Sequence, residues 1–453
     1  MGFFLSVLYF VTYYLTPGVL FGPLAAYRIE LVLAVLILVV SLPKLMASFT
    51  LKTPQSLALI GLAMAVLMSV LIGERWVGGG LAAFLGFIPN AFGYFLVCLH
   101  CNSKKKLQAL VFALLVVCFF VIARGAIALH HANIASISSE DRENGYLFAM
   151  QSDSGEWFYR LRGMGQINDP NDFGQVIVCV IPLMFIFWRS KKVVANLVCV
   201  ILPVCVLLVG VFLTHSRGAL LALTALAVVA ARRRIGTVPA LVLAGGIFAA
   251  AMALHFTGGR DISASAGEDR TDLWGESLQV FKAHPLFGVG FGDLPDYLGH
   301  TAHNSVAVCA AELGFFGLYF WSLFLLPTLR DALTVASPGK VMEGKPMVIE
   351  EELFPLTRGK IEAIDKADVN HMGRLIVLSL TAFLVTGWFL SRSFVMTLFL
   401  LGGVAEVVYE MALDRGMIAP RLRLARLAPY AGGLAISLVL MIYVMLRIVN
   451  LTH

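Results

Sequence analysis

The sequence predicts an all-α polytopic membrane protein of about twelve or thirteen transmembrane helices, with two long extracytoplasmic loop segments. Three observations carry this expectation. Of 453 residues, 59% are hydrophobic and only 14% are charged, which leaves too little charge to cover a soluble chain of this length. Apolar runs of about 16–22 residues recur from end to end, each long enough as a helix for a hydrocarbon core of about 30 Å. The basic clusters fall in alternate connections between these runs. A membrane β-barrel would instead show alternating segments of about ten residues.

In chain order, the apolar runs start near Phe3, Glu30, Gln55, Gly80, Leu107, Phe173, Val193, Gly218, Val238, His303, Leu375, Phe394 and Pro429. The first lacks a basic leader and a small-residue cleavage site, so it reads as a retained span. Pro17 and Gly18 cut into it, which is why the count is twelve or thirteen. The resulting organisation is an N-terminal set of helices over 1–124, a first outer loop over 125–172 and a central set over 173–254. A second outer loop over 255–302 follows, then a helix over 303–327 carrying a His-Asn pair. A polar loop over 328–374 and C-terminal helices over 375–453 complete the chain.

Orientation follows from Lys and Arg, which favour the cytoplasmic side. "SKKK" (103–106), "RSKK" (189–192), "RRR" (232–234) and "RGMIAPRLRLAR" (415–426) all fall on one side of the thirteen-span arrangement, together with the hydrophilic stretch from Arg330 to Arg374. The two long loops and the corners "THSR" (214–217) and "SRS" (391–393) fall on the other. Loops that exceed about a dozen residues usually bind or catalyse, so function is expected outside. The seven cysteines lie in or beside apolar runs and do not form a disulfide framework. Cys98 and Cys101 have CxxC spacing, but no second pair accompanies them and they read as small apolar residues at a helix end.

The first outer loop ends "FYRLRGMGQINDPNDFGQ" (158–175). Asp169, Pro170, Asn171 and Asp172 have the composition of an Asx turn and a helix N-cap, with Asp172 in the capping role. Arg160 and Arg162 either pair with Asp169 and Asp172 or face an anionic ligand. In the corner "FLTHSRGALLAL", Arg217 stands at a helix beginning, where its charge opposes the helix dipole. It can snorkel to headgroups, or a bound anion can relieve the conflict and use the free N–H groups.

The second outer loop reads "EDRTDLWGESLQVFKAHPLFGVGFGDLPDYLGHTAHNS" (268–305). Thr271 to Lys282 predicts a short amphipathic helix with Leu273, Trp274, Leu278 and Phe281 on one face, suited to the membrane interface, and Arg270 at its start. The glycines of "HPLFGVGFG" permit tight backbone but sit in no βαβ unit, so they are not a dinucleotide fingerprint. His303 and Asn304 follow at the mouth of an apolar helix. His303 reads as a base or proton relay against the commoner structural histidine, and Asn304 is placed to orient a ring or cap the helix. Glu312, inside that helix, reads as structural, fixing a helix contact or a histidine tautomer. No HExxH, paired DxD or Walker motif occurs, so no metal, cofactor or nucleotide is expected. Few charged residues fall mid-span, which argues against an ion pathway. No nucleic-acid partner is expected.

Taken together, "RGMGQINDPNDFG", "THSRGALLAL" and "HPLFGVGFGD…TAHNSVAVCAAELGFFGLYFW" resemble, in order and spacing, the bacterial O-antigen ligase and Wzy-type polymerase superfamily over about Arg160 to Leu325. The resemblance implies a helical bundle of the C-type glycosyltransferase kind in the bacterial inner (cytoplasmic) membrane, with an active site on the periplasmic side. It implies transfer of a glycan from an undecaprenyl-diphosphate-linked donor, without metal or nucleotide sugar. It also implies Arg217 and Arg270 as diphosphate-binding residues and His303 as the catalytic histidine. "DPNDFG" resembles exopolysaccharide polymerases more than ligases acting on lipid A–core, so polymerase leads and ligase, or protein O-ligase, stands second. Expected partners are the lipid-linked donor, a glycan or lipid A–core acceptor, the bilayer and envelope polysaccharide assembly proteins. Two other classes compete. A transporter of lipid-linked glycans predicts charges deep in the spans. An envelope scaffold needs no boundary arginines paired with a histidine.

Overall fold

A computed structural model of the protein describes residues 1–47, 53–133, 143–258, 265–337 and 366–452. Each of the thirteen apolar runs is helical. In order they are α1 (Gly2–Leu15), α2 (Ile29–Ala47), α3 (Pro54–Met68), α4 (Val77–His100), α5 (Lys104–His131), α6 (Pro170–Leu183), α7 (Leu202–Thr214), α8 (Arg217–Ile235), α9 (Thr237–Ala253), then α10 (Ser265–Ala283) from the second outer loop, α11 (Ser305–Ala336), α12 (Lys366–Gly387), α13 (Met396–Leu413) and α14 (Leu424–Thr452). Among the described residues ten helical spans are long and apolar enough to cross a membrane, α7 counting from Val193. The other three runs differ for local reasons. α1 and α9 are shorter apolar helices, α1 ending at a left-handed Thr16 just before Pro17. α8 closes on Arg232, Arg233 and Arg234 in its last turn, where positive charge complements the helix dipole.

Helix starts obey local chemistry. Thr53 accepts from the Ser56 N–H with Pro54 in the first turn, Ser216 accepts from the Ala219 N–H, and Asn304 accepts from the Val306 and Ala307 N–H groups. Each satisfies a donor that a helix start leaves orphaned. The cap of α6 is Asp169, whose side chain accepts from the Asn171 N–H at 2.7 Å. The expectation of Asp172 as cap is thus corrected. Pro170 takes the first helical position, where a missing N–H costs nothing, and pushes the cap one residue upstream of it.

The chain forms two units. The first comprises residues 1–40, 105–262 and 375–386. Here α6 packs on α7 and α8, and α8 on α9. Gln175 of α6 donates to the Thr386 hydroxyl at 2.8 Å. The first outer loop holds a feature the sequence reading did not anticipate, an antiparallel sheet of β1 (Glu143–Asn144), β2 (Leu147–Gln151) and β3 (Trp157–Leu161) in sequential order. Its signal is present in "LFAMQSDSGEWFYRL", two β-prone runs around a Ser-Asp-Ser-Gly turn. Part of that loop, 134–142, lies outside the described residues, as do 259–264 of the second.

The second unit comprises residues 41–104, 263–374 and 387–453. α11 is its centre and packs against α3, α10, α13 and α14, while α13 packs on α4. Phe87, Phe399 and Phe324 meet edge-on between these helices. Arg421 enters from the loop before α14. Its guanidinium lies 2.9 Å from Asp331, 2.7 Å from Glu406 and 3.1 Å from Glu410, over the Tyr409 ring, and Gln55 donates to Asp331 at 2.8 Å. These carboxylates gather around one arginine, while Gln55 Oε1, Glu406 Oε2 and one Arg421 terminal nitrogen stay buried without a hydrogen-bond partner among the described residues. The polar stretch after α11 lies outside the described residues over 338–365.

At 32 residues α11 would be about 48 Å long if straight. It is broken at Gly314, which has φ 64° and ψ −165°, a region open essentially to glycine alone. A regular helix would bond the Phe315 and Phe316 N–H groups to the Ala311 and Glu312 carbonyls. Instead those N–H groups donate to Pro285 and Leu286 at 2.8 and 3.1 Å, and the freed carbonyls accept from Val289 and Gly290, both at 3.1 Å. The loop "HPLFGVG" thus gives all four of these groups a partner in an apolar interior. The contact is close. A Cβ on Gly314 would lie 2.4 Å from the Leu286 backbone, and one on Gly288 2.2 Å from the Glu312 carbonyl oxygen.

This predicts that Gly314→Ala, through backbone strain alone of about 1–3 kcal/mol and the clash with Leu286, will lower the thermal midpoint of the detergent-solubilised protein. Gly246→Ala, in open space on α9, serves as control. Equal midpoints for native protein and Gly314→Ala would refute the exchange.

Candidate functional site

Residues of the second unit gather on the corner 388–393, which connects α12 to α13. The Asn304 Oδ1 caps α11, accepting from Val306 and Ala307 at 2.9 and 3.0 Å, while its Nδ2 donates to the Trp388 carbonyl at 3.0 Å. The side chain is fully buried, and both of its polar ends are used. Next in the chain, Ser305 donates to the Leu390 carbonyl at 2.7 Å and accepts from the Arg392 N–H at 3.1 Å. Ser393 returns a bond to the Ser305 carbonyl, and the Trp321 indole donates to the Ser393 carbonyl at 3.0 Å. The Ser391 hydroxyl accepts from the His303 N–H at 2.9 Å and from the Thr301 hydroxyl.

Held in this way, His303 takes φ 50°. A non-glycine residue in the left-handed region is uncommon and persists where its surroundings over-determine it. Its side chain is exposed between the buried neighbours Ala302 and Asn304. Arg270, at the near end of α10, reaches the same corner, its guanidinium 5.6 Å from the centre of the Phe389 ring. Trp274 and Trp388 meet edge-on at 5.8 Å. The structure therefore brings Arg270, His303 and Asn304 to one corner. "SRS", which the sequence offers as a short turn, is what holds them, and nothing in its local pattern announces that role.

Glu312 stands deeper in α11 and is buried. Its carboxylate accepts from the backbone N–H groups of Gly292 and Leu294. That bond anchors the loop leading to His303, a structural use. α10 runs from Ser265 to Ala283, longer than the stretch the sequence marks out. This helix packs on α11 and α14, with Trp274 and Leu278 buried and Leu273 and Phe281 half-buried, so protein covers much of the face expected at the membrane interface.

In the first unit, Arg217 is the first residue of α8, after the Ser216 cap and a left-handed His215. This corner is gripped from the sheet. Arg160 of β3 donates through Nε to the Thr214 carbonyl and through a terminal nitrogen to Asn171 Oδ1, both at 2.9 Å. Burial pushes the Arg160 guanidinium down to about 10, with Asp169 opposing the shift and Arg217 adding to it. The group stays charged near neutrality. Arg162 reaches the Gly145 carbonyl at 3.0 Å, the Asn168 carbonyl at 3.3 Å and the Glu143 carboxylate at 3.0 Å. Both arginines tie the sheet to the "NDPND" turn, and Arg160 also fixes the carbonyl three residues before Arg217. Asp172 is buried in the first turn of α6. His215 sets its Nδ1 2.6 Å from the Phe256 carbonyl, against Phe158 and Phe212.

Among the described residues no three His, Cys, Asp or Glu side chains are grouped as a metal site. Asp293, in the loop that Glu312 anchors, has its carboxyl raised to about 6 by burial and by the neighbouring Glu74 carboxylate. A carboxyl with a folded value above its unfolded one favours folding while protonated. That contribution is complete below about pH 4 and is lost as pH rises through about 6. Asp293→Asn should therefore raise the thermal midpoint at pH 7.5, with the gain shrinking as the pH falls below 6. No gain at pH 7.5 would contradict the assignment.

Comparison with known proteins adds one match. No curated protein matches the chain, but residues 202–322 match the family model described as O-antigen ligase. The match starts with α7, ends within α11 and contains Arg217, Arg270, His303, Asn304 and Glu312. Within its set of apolar helices, the chain is thus similar to the O-antigen ligase family over residues 202–322.

Proposed function

We propose that the protein transfers a glycan from an undecaprenyl-diphosphate-linked donor to a sugar hydroxyl, on the outer face of the bacterial cytoplasmic membrane, as a Wzy-type polysaccharide polymerase. The observation that carries the reading is the presentation of His303. A strained residue exposes its imidazole from a cradle of buried hydrogen bonds, at the mouth of a span, inside a segment matching a family of glycan-transferring enzymes. The Lys/Arg bias of the loops supports an outward position for His303, Arg217 and Arg270.

In this reading a neutral His303 ring nitrogen takes the proton of the acceptor hydroxyl as its oxygen attacks the anomeric carbon. The bond from that carbon to the diphosphate oxygen breaks, and undecaprenyl diphosphate leaves with the electron pair. Attack opposite the leaving group inverts the anomeric centre. Arg217 and Arg270 hold the growing negative charge with planar, permanently charged forks, a stabilisation that needs no metal. Asn304, Arg160, Asn171 and Asp169 position these groups.

A second reading keeps donor and base and changes the acceptor to lipid A–core or a protein. The description of the matching family, O-antigen ligase, favours it. Gene deletion separates the two: loss of polymer supports the first, and loss of attachment to lipid A supports the second.

His303→Ala, reconstituted with purified lipid-linked glycan, should fold and bind donor yet turn over about 10²–10⁴ times slower. Native activity should fall on acidification as the ring protonates. Native turnover in well-folded His303→Ala would end the assignment. Arg217→Ala and Arg270→Ala should each lose about 10²–10³ in rate, and lysine should restore only part because it lacks the fork. Full activity in both alanine variants would remove the arginines from the site.

A further inference from the structure

A groove of about 480 Å³ runs between α10 and α14 in the second unit, within the range of small-ligand sites. Thr271, Asp272, Glu276 and Gln279 line it from α10, and Tyr443 and Arg447 from α14. On α10, Asp272, Glu276, Gln279 and Lys282 form one polar stripe at successive helical turns, bordered by the buried Leu278, which also lines the groove. On α14, Arg447 Nε donates to the Tyr443 hydroxyl at 3.2 Å, and both Lys282 and Arg447 lie within 6 Å of the centre of its ring. Neither the proton transfer proposed for His303 nor the burial of Trp274 uses any of these groups.

From this groove we infer a binding subsite for a neutral sugar unit, serving the glycan that enters the reaction proposed above, on which the inference rests. Three observations favour a polyhydroxyl ligand. The walls carry two carboxylates, two cations, an amide and two hydroxyls, so donors and acceptors are both on offer and the charges balance. A phosphate would find Arg447 and Lys282 but would also face Asp272 and Glu276. A cationic ligand would meet the converse. A sugar hydroxyl both donates and accepts, and matches either kind of partner. The wall also includes an exposed tyrosine at the groove edge, whose ring and hydroxyl together suit the mixed apolar and polar faces of a pyranose.

The groove is tied to the corner that presents His303. Arg270 immediately precedes Thr271 on α10. Glu276 Oε2, in the groove wall, lies 2.9 Å from Nε2 of His300, three residues before His303. A sugar unit held along α10 is thereby held on the helix that also carries a proposed diphosphate arginine. A chain of several sugars needs such a second hold, because the bond made at His303 fixes only its end.

The test uses the full-length protein in nanodiscs and, as probe, the lipid-free oligosaccharide released by mild acid from the producing cell's surface polysaccharide. Saturation-transfer difference NMR reads binding without turnover. The native protein and His303→Ala should give equal signal. Gln279→Ala and Tyr443→Ala should lower probe affinity about tenfold or more, while Tyr443→Phe, which keeps the ring, should retain most of it. All variants should keep the native elution profile and thermal midpoint. In the transfer assay, the groove variants should raise the acceptor KM with kcat nearly unchanged. Absence of probe signal with native protein would overturn the subsite, as would unchanged affinity in both alanine variants. So would occupancy that follows the phosphatidylglycerol content of the nanodisc and ignores the oligosaccharide. If instead native protein binds the probe but never transfers glycan, the catalytic reading fails and the subsite stands.

Discussion

The second unit depends on one exchange of backbone hydrogen bonds. At Gly314 the central helix stops bonding to itself and bonds to the loop 285–290, through two donors and two acceptors on each partner. A break in a buried helix would ordinarily leave polar groups bare where no water can reach them. Here the loop supplies partners for those four groups, and Glu312 fastens the loop's far end through the Gly292 and Leu294 N–H groups. From that anchorage α10 runs back along α11 and α14, and the chain runs forward to His303. The helix that receives the loop is the same one that His303 introduces, so the position of the imidazole and the path of the loop are set by a single rigid element.

The corner 388–393 completes the positioning. Side chains of Asn304, Ser305, Ser391 and Ser393 bond across it, and they hold His303 in the left-handed region, uncommon for a residue other than glycine. Strain of this kind survives where many weak bonds act together, and a group that must meet a reacting atom gains from such pre-organisation. The first unit reaches a similar end by other means. There an arginine from a small sheet grips the carbonyl before the helix that Arg217 opens. A charged donor makes this hold stronger than a neutral one would be, and the cost of burying Arg160 is offset by Asp169 and Asn171.

Charge inside the helix bundle obeys the same economy. Asp331, Glu406 and Glu410 share Arg421, which also covers the face of Tyr409. Breaking such a buried set by removing one member generally costs about 3–5 kcal/mol. Gathered on one arginine in this way, it joins α11, α13 and the loop before α14 as a structural clamp.

The sequence by itself determined the thirteen helical runs, because hydropathy is a sum over consecutive residues and needs no knowledge of the fold. It also determined the cap at Asn304, the helix beginning at Arg217 and the apolar stripe of α10, which rest on neighbours within one or two turns. Through short motifs it singled out Arg217, Arg270 and His303. The tertiary structure decided what is made of contacts between distant residues. It set His303 on Ser391, 88 positions away, and replaced the helix bonds of Ala311 and Glu312 with those of a loop some twenty residues upstream. It turned Arg160 toward Thr214 and opened a polar groove between α10 and α14. The sheet at 143–161 belongs to neither class: its pattern is local, but it is brief and was outweighed by the helical signal on either side. A hydrogen bond or a cavity is a relation between two places in the chain, and only the folded chain brings both places together.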